Sequence, residues 1–449
     1  MTVISSMADS FSRVMERWLP DAFLFAVLIT ILVFIAATGI QLDKELAMSQ
    51  ALINTSTYWG DGIWRLLTFA MQMVLILVLG HILALAAPVQ KLIGSIASYV
   101  QSVGQAIVVT TVVAMLASWL NWGFGLVIGA VMAKEIARRV ENVHYPLLVA
   151  SAYSGFLIWH AGLSGSIPLK IASPGNDALG LLLNQQAIPL SQTIFSGQVL
   201  IIVGALVITL PLVNWMMMPK KAQPYIETEP NQQSSPIQAS LDTPAQKMEH
   251  SPVINLLLAT LIMSYCWVHF IQRDAGLGLN QVNLILLVMG LILHWRPTHF
   301  LNAAQTAIKG CSGIVLQFPL YAGIMGMMTQ SGLAAEISQW FVDISTRESF
   351  PIYTFLSAGV VNFFVPSGGG QWAIQAPLII PAAESLQVPL NQAAMAVAFG
   401  DAWTNMIQPF WALPLLGIAG LSIRQIMGYC TVILLWSGLV ICIGLWCLY

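Results

Sequence analysis

The chain has 449 residues, 57% of them apolar and 8% charged, with a net charge of −2 and a mean hydropathy of +0.78. Soluble domains carry about 25% charged residues, so the composition excludes an ordinary soluble domain, and no basic tract suggests a nucleic-acid partner. Cys266, Cys311, Cys430, Cys442 and Cys447 are scattered through apolar runs without disulfide or metal-ligand spacing.

Each membrane crossing needs about 20 apolar residues. Residues 1–18, with Arg13 and Arg17, read as an interfacial amphipathic segment without a cleavage site, so the apolar run at 19–40 is expected to be a retained span. A second span is expected at 66–87. The uncharged run at 92–133 is too long for one helix and is interrupted by Asn121-Trp122-Gly123-Phe124-Gly125. Two half-spans around a polar tip predict a re-entrant hairpin near 105–137. Residues 147–160 then run into Ala161-Gly162-Leu163-Ser164-Gly165-Ser166-Ile167-Pro168, which predicts a broken crossing near 146–176. Another span is expected at 192–218.

Residues 219–252 are rich in Pro, Gln, Ser, Lys and Glu, the signature of a solvated linker between halves 1–218 and 253–449. The second half is expected to hold spans at 253–271, 282–293, within 310–328 and at 426–445. Between them lies Val365-Pro366-Ser367-Gly368-Gly369-Gly370-Gln371-Trp372. Pro lacks an N–H and each Gly costs about 1 kcal/mol in a helix interior, so this stretch predicts a second hairpin tip, near 351–385. A second broken crossing is expected near 390–420, around Asp401-Ala402-Trp403-Thr404-Asn405. Asn121 and Pro146 in the first half echo Asn362 and Pro389 in the second. Paired interruptions of this kind point to a transporter binding site. The expected fold is an all-α polytopic membrane protein of two inverted repeats, each with a re-entrant hairpin and a broken transmembrane helix. Arg13, Arg17, Lys91, Lys134, Arg138, Arg139, Lys220, Lys221, Arg296 and Lys309 can all lie on one side, which is expected to be the cytoplasm, with the N-terminus and the linker there and the C-terminus outside.

Candidate site residues follow from the interruptions, because non-helical backbone at membrane depth is tolerated only inside protein or along a watery cavity. Asn121, Gly123, Ser164, Ser166, Ser367, Gly368, Gly369, Gly370 and Gln371 are expected to bind a small anion through hydroxyls and free backbone amides. Asp401 is the only charge between Glu384 and Arg424. A carboxylate at a helix centre costs about 2.5–3.5 kcal/mol, so it is expected to carry ion coupling, with Thr404, Asn405 and His160 as further candidates. Asp401 and Asn405 suit Na⁺, and Asp401 alone suits a proton. No catalytic residue and no cofactor are expected. One enzyme pattern, Gly162-Leu163-Ser164-Gly165, matches the G-x-S-G motif of intramembrane serine hydrolases, with Ser164 as nucleophile. The two-half repeat has no role in such an enzyme.

The stretches Val365-Pro-Ser-Gly-Gly-Gly-Gln-Trp-Ala-Ile-Gln-Ala-Pro377 and Gly400-Asp-Ala-Trp-Thr-Asn-Met-Ile-Gln-Pro-Phe-Trp-Ala-Leu-Pro414 closely resemble the bacterial short-chain fatty acid transporter family. Trp18-Leu-Pro-Asp-Ala-Phe23 and His160-Ala-Gly-Leu-Ser-Gly-Ser166 resemble it too. The resemblance implies a bacterial inner-membrane transporter of small monocarboxylates such as acetoacetate or butyrate. It implies a lipid-embedded homodimer in the ion-transporter superfamily, working by an elevator motion and coupled to an ion. Many members of that superfamily use Na⁺, but its Ser-Asn-Thr tip signature is absent here, so Na⁺ and H⁺ both stay open. Another organic anion, such as a dicarboxylate, is the rival substrate class.

Overall fold

In so apolar a chain the backbone must satisfy its own polar groups, and every described element is helical. The computed structural model describes residues 3–65, 67–172, 187–226, 243–273 and 279–449. The first half runs α1 (Val3–Trp18), α2 (Ala22–Asp43), α3 (Met48–Ile63), α4 (Leu67–Leu85), α5 (Ala87–Ser98), α6 (Val103–Leu120), α7 (Trp122–Arg139) and α8 (Tyr145–Ser154). A 3-10 turn over Gly155–Ala161, then α9 (Ser166–Ala172) and α10 (Gly197–Met216), complete it. The second half opens with α11 (Pro244–Glu249), α12 (Pro252–Trp267), α13 (Leu279–His294), α14 (Pro297–Ile308), α15 (Ser312–Gln330) and α16 (Leu333–Asp343). It continues with α17 (Phe350–Phe364), α18 (Gly368–Ser385), α19 (Leu390–Thr404), α20 (Pro409–Ala419) and α21 (Ile423–Leu448).

Six described helices are long and apolar enough to cross a membrane, and the 75° pair α4–α5 makes a seventh if it is one span. The spans expected at 19–40, 192–218, 253–271 and 426–445 fall on α2, α10, α12 and α21. Helix α3 escapes the hydropathy pattern because Asn54, Thr55, Ser56, Thr57 and Asp61 interrupt it. Its polar side is nonetheless satisfied: Thr55 is buried and accepts a hydrogen bond from Gln41 Nε2 at 2.7 Å. The expected linker and the first broken crossing are described in part, since 173–176 and 227–242 lie outside the described residues. The linker's first residues are fastened to the bundle. Tyr145 N donates to Gln223 O at 2.9 Å, and the Tyr225 ring lies under Lys134 and Arg138.

Two polar residues turn the chain at the interrupted stretches. Asn121 joins α6 to α7 and Ser367 precedes α18, both in extended backbone (φ −155°, ψ 125° and φ −156°, ψ 104°). Their side chains accept from Phe124 N at 3.0 Å and Gly370 N at 3.3 Å. A side-chain oxygen at this position satisfies a donor the helix leaves orphaned, contributing about 1 kcal/mol. Glycine then lets the arms close. A Cβ on Gly125 would stand 2.1 Å from Ser118 Oγ, and one on Gly129 would stand 3.2 Å from Ala114 Cβ, so α6 and α7 run antiparallel.

The interrupted crossings pack on the hairpin arms in the same way in both halves. A Cβ on Gly155 would lie 2.5 Å from Ala114 C of α6, and one on Gly400 would lie 2.2 Å from Phe355 O of α17. Two helices joined at a capping residue and followed by an interrupted helix therefore occur twice in the helix order. The counterpart of Asn121 in this order is Ser367, whereas Asn362 lies inside α17. The sequence echo of Asn121 with Asn362 is out of register, because the shared property is the capping role and not the residue type.

Candidate functional site

Each hairpin satisfies the broken crossing that follows it. Gly162 comes so close to α6 that a Cβ would stand 2.2 Å from Trp119 O, and Leu163 N donates to that same oxygen at 2.8 Å. Ser164 Oγ accepts from Trp122 N at 3.0 Å. In the second half Asn362 Nδ2 lies 2.8 Å from Asp401 O, 3.0 Å from Thr404 Oγ1 and 2.7 Å from Asn405 Oδ1. Gln408 Nε2 donates to Asn362 O and Phe363 O at 2.9 and 3.1 Å, bridging the second break to the end of α17.

The two halves then meet at their breaks. Tyr153 OH donates to Asn405 O at 2.5 Å, and Trp122 packs edge-on against Trp411 at 5.3 Å. His160 Nδ1 lies 3.2 Å from Asp401 Oδ1, with the two side chains 0% and 1% exposed. The contact is oblique, and Asp401 Oδ1 and Oδ2 have no aligned hydrogen bond among the described residues. Ile167 N donates to His160 Nε2 at 3.2 Å, so that nitrogen is the acceptor and neutral His160 carries its proton on Nδ1. Trp159 stacks on the imidazole at 4.0 Å. The start of α18 lies against the same ring: a Cβ on Gly368 would stand 2.6 Å from His160 Cε1.

The expected site residues divide into four groups. Ser164, Ser166, Ser367 and Gly370 are partly exposed and Gly369 is exposed, at the breaks and the second tip. Asn121, Gly123 and Gly368 are buried in the packing that shapes those tips, with Gly123 closed off by Ile76. Gln371 points away from the tip. It is buried and donates to Ala358 O and Gln375 Oε1, both at 2.8 Å, because it shares the inward face of α18 with Gln375 one turn on. Thr404 and Asn405 sit beside Asp401, but their oxygens, with Asp401 O, converge on the Asn362 amide, which occupies the place a cation would take. The described residues hold no cluster of three or more His, Cys, Asp or Glu suited to a metal ion.

Sequence reasoning gave no role to Asn362, Tyr153 or Gln408, and passed over Lys170, one turn beyond Ser166 on α9. The polar character of Asn362 within the apolar run of α17 was the available signal. Ser164 has no hydrogen bond to His160 among the described residues, so the geometry gives it no base for nucleophilic chemistry.

An all-helical, multi-pass membrane protein whose two interrupted crossings meet over a buried carboxylate has the build of a transporter. The chain belongs to the short-chain fatty acid transporter family, whose pattern matches residues 3–448. It is 41% identical over 448 residues to an Escherichia coli (strain K12) protein named "Putative short-chain fatty acid transporter", covering 99% of each chain. A protein of the same name from Haemophilus influenzae (strain ATCC 51907 / DSM 11121 / KW20 / Rd) is 41% identical over 452 residues, covering 99% of this chain and 100% of that one. Among solved structures, the Alcanivorax borkumensis YdaH transporter aligns over 95% of this chain and 97% of its own, at 14% identity and a TM-score of 0.44.

Proposed function

We propose that the protein is an ion-coupled secondary transporter of small monocarboxylates such as acetoacetate or butyrate, binding them where the two tips meet the two breaks. One observation carries this reading: the donors at the junction are neutral and incompletely used. Ser164 and Ser367 accept hydrogen bonds from Trp122 N and Gly370 N, which leaves each hydroxyl proton to donate. The N–H groups of Gly368 and Gly369 open α18 with no backbone partner among the described residues. Such a set at a helix N-terminus suits one carboxylate. It binds weakly enough for the substrate to leave. Asp401, with His160 against it and Thr404 and Asn405 beside it, is the coupling centre in this reading, and the coupling ion is Na⁺ or H⁺.

In this reading the protein works in a bacterial inner membrane as a homodimer that moves by an elevator motion, as its resemblance to the family implies. A dicarboxylate is the second reading, favoured by Lys170 on α9, since a second carboxylate calls for a cationic clamp. Uptake of labelled acetoacetate into proteoliposomes, corrected with protein-free liposomes for leak of the neutral acid, separates the two. Inhibition by acetate, butyrate and hexanoate but not by succinate is expected. Succinate uptake that butyrate does not inhibit would establish the second reading.

A further inference from the structure

Building on that transport reading, we propose that the coupling ion is a proton, carried on the carboxyl group of Asp401, and that His160 is a positioning residue whose Nδ1 lies obliquely beside it. The backbone decides the division of labour. Ile167 N–H points at His160 Nε2 from 3.2 Å, so a second proton on the imidazole would set two N–H groups head to head. The imidazole is held neutral with its hydrogen on Nδ1, and Nδ1 is the atom 3.2 Å from Asp401 Oδ1. Both carboxylate oxygens lack any aligned partner among the described residues, so either can take the proton. The neutral oxygens beside Asp401 that would complete a sodium cage are held by the Asn362 amide.

The titratable groups on the surrounding elements are few. Tyr153, on the element leading to the first break, is engaged with Asn405 O, and α9 carries Lys170. Tyr353 and Glu384 lie at the outer ends of α17 and α18. Helix α21 brings Arg424, Tyr429 and its cysteines, and α7 has Lys134, Glu135, Arg138 and Arg139 in its last two turns. Glu384, Arg424, Lys134 and Glu135 form no ion pair with His160 or Asp401 among the described residues.

Coupling follows from charge. The pair carries −1 without the proton and 0 with it. The amides of Gly368 and Gly369, which we assign to the substrate carboxylate, open the helix that abuts His160. A substrate anion placed there is repelled by ionised Asp401 and tolerated by protonated Asp401, so proton and anion bind together. The proton enters from water on the side where substrate binds, rests on an Asp401 oxygen, and leaves to water on the other side. One proton and one anion cross per cycle, without net charge.

The test uses the full-length protein in sodium-free proteoliposomes and labelled acetoacetate, a probe almost wholly anionic at neutral pH. An acid-outside pH gradient is expected to raise wild-type accumulation at least about fivefold over no gradient, and a Na⁺ gradient to leave it unchanged. Asp401→Asn is expected to keep acetoacetate counterflow while losing the response to the pH gradient. His160→Asn places an amide N–H near the position of Nδ1 and is expected to retain pH-driven accumulation with a displaced pH profile. His160→Gln, whose amide falls near Nε2 instead, is expected to lose it. Accumulation driven by Na⁺ and not by pH in the wild type overturns the proposal without recourse to any variant. So does a pH response that survives Asp401→Asn but not His160→Asn, which would make His160 the carrier. A wild type with neither uptake nor counterflow of acetoacetate overturns the transport reading itself, an outcome distinct from both.

Discussion

His160 Nδ1 stands 3.2 Å from Asp401 Oδ1, and this contact joins the break in one half of the chain to the break in the other. Both residues sit where helix gives way to a 3-10 turn: His160 within Gly155–Ala161, and Asp401 in the last turn of α19 before Asn405–Ile407. The broken crossings therefore do more than expose backbone. They bring the only close acid–base pair in the described interior to the start of α18, where free amides and hydroxyls gather.

The close approach of each broken crossing to its hairpin arm should be sensitive to a single methyl group. In Gly155→Ala and Gly400→Ala the new Cβ would stand 2.5 Å from Ala114 C and 2.2 Å from Phe355 O, backbone atoms that cannot swing aside. Overpacking of this kind costs about 1–3 kcal/mol. Both variants should melt at lower temperature than wild type in detergent, while Gly197→Ala, with open space at its Cβ, should not. Wild-type melting of the first two would refute the packing of arm on break.

Asn362 should matter for stability as much as for transport. Its amide faces three oxygens of the second break, and Asn362→Ala leaves them without that donor, a loss of about 1–3 kcal/mol. Asn362→Asp sets an acceptor against three acceptors and should be worse than Ala. Thermal melts of the two variants check the order. An Asp variant as stable as wild type in Na⁺-containing buffer would reveal a cation held among those oxygens.

His144 gives a pH dependence whose sign is fixed. It precedes α8, accepts from Gln223 N at 3.0 Å, and meets Tyr429 OH at 2.9 Å. Burial is the main cause that lowers its pKa from 6.5 to about 4. The unfolded chain takes up this proton near pH 6.5 and the folded chain only near 4. Stability is therefore unaffected by this group above pH 6.5 and falls through the window from 6.5 to 4, by on the order of 3 kcal/mol in all. Melting followed from pH 7 to 4.5 should fall less steeply in His144→Gln than in wild type. Equal slopes would show that His144 is already solvated.

The proposed orientation is open to labelling. Lys134 and Arg138 lie over Tyr225, so the end of α7 and the start of the linker share one side. Single cysteines introduced within 219–252 should react with an impermeant maleimide only from the cytoplasm, and one at Tyr449 only from outside. Reaction of both from one side would rule out the inverted arrangement.

The helix junctions at Asn121 and Ser367 and the break after His160 were legible because Asn-Trp-Gly-Phe-Gly, Pro-Ser-Gly-Gly-Gly and Gly-Leu-Ser-Gly-Ser each interrupt a long uncharged run with residues unsuited to helix. The register between the halves was not. Asn121 and Ser367 are both caps, and Asn and Ser cap equally well, so residue identity led instead to Asn362. Gln371 looked like a tip residue because it follows three glycines, but helical phase turns it inward toward Gln375. The contact of His160 with Asp401 was beyond reach, since each residue was readable as polar and isolated while the pairing depends on how the halves pack.

The most direct test of the central claim, that substrate binds where the second tip meets the breaks, is protection of one introduced thiol in a protein whose five native cysteines are replaced by serine. Gly369 is exposed in open space at the start of α18, so Gly369→Cys fits the structure. Gly197, equally open at the start of α10, gives the matched control Gly197→Cys. The rate of reaction with a water-soluble methanethiosulfonate is measured on purified protein with and without millimolar butyrate. Butyrate should slow labelling at position 369 several-fold, succinate should not, and position 197 should respond to neither. Labelling at 369 that butyrate leaves unchanged, in a variant that still transports acetoacetate, would contradict the account.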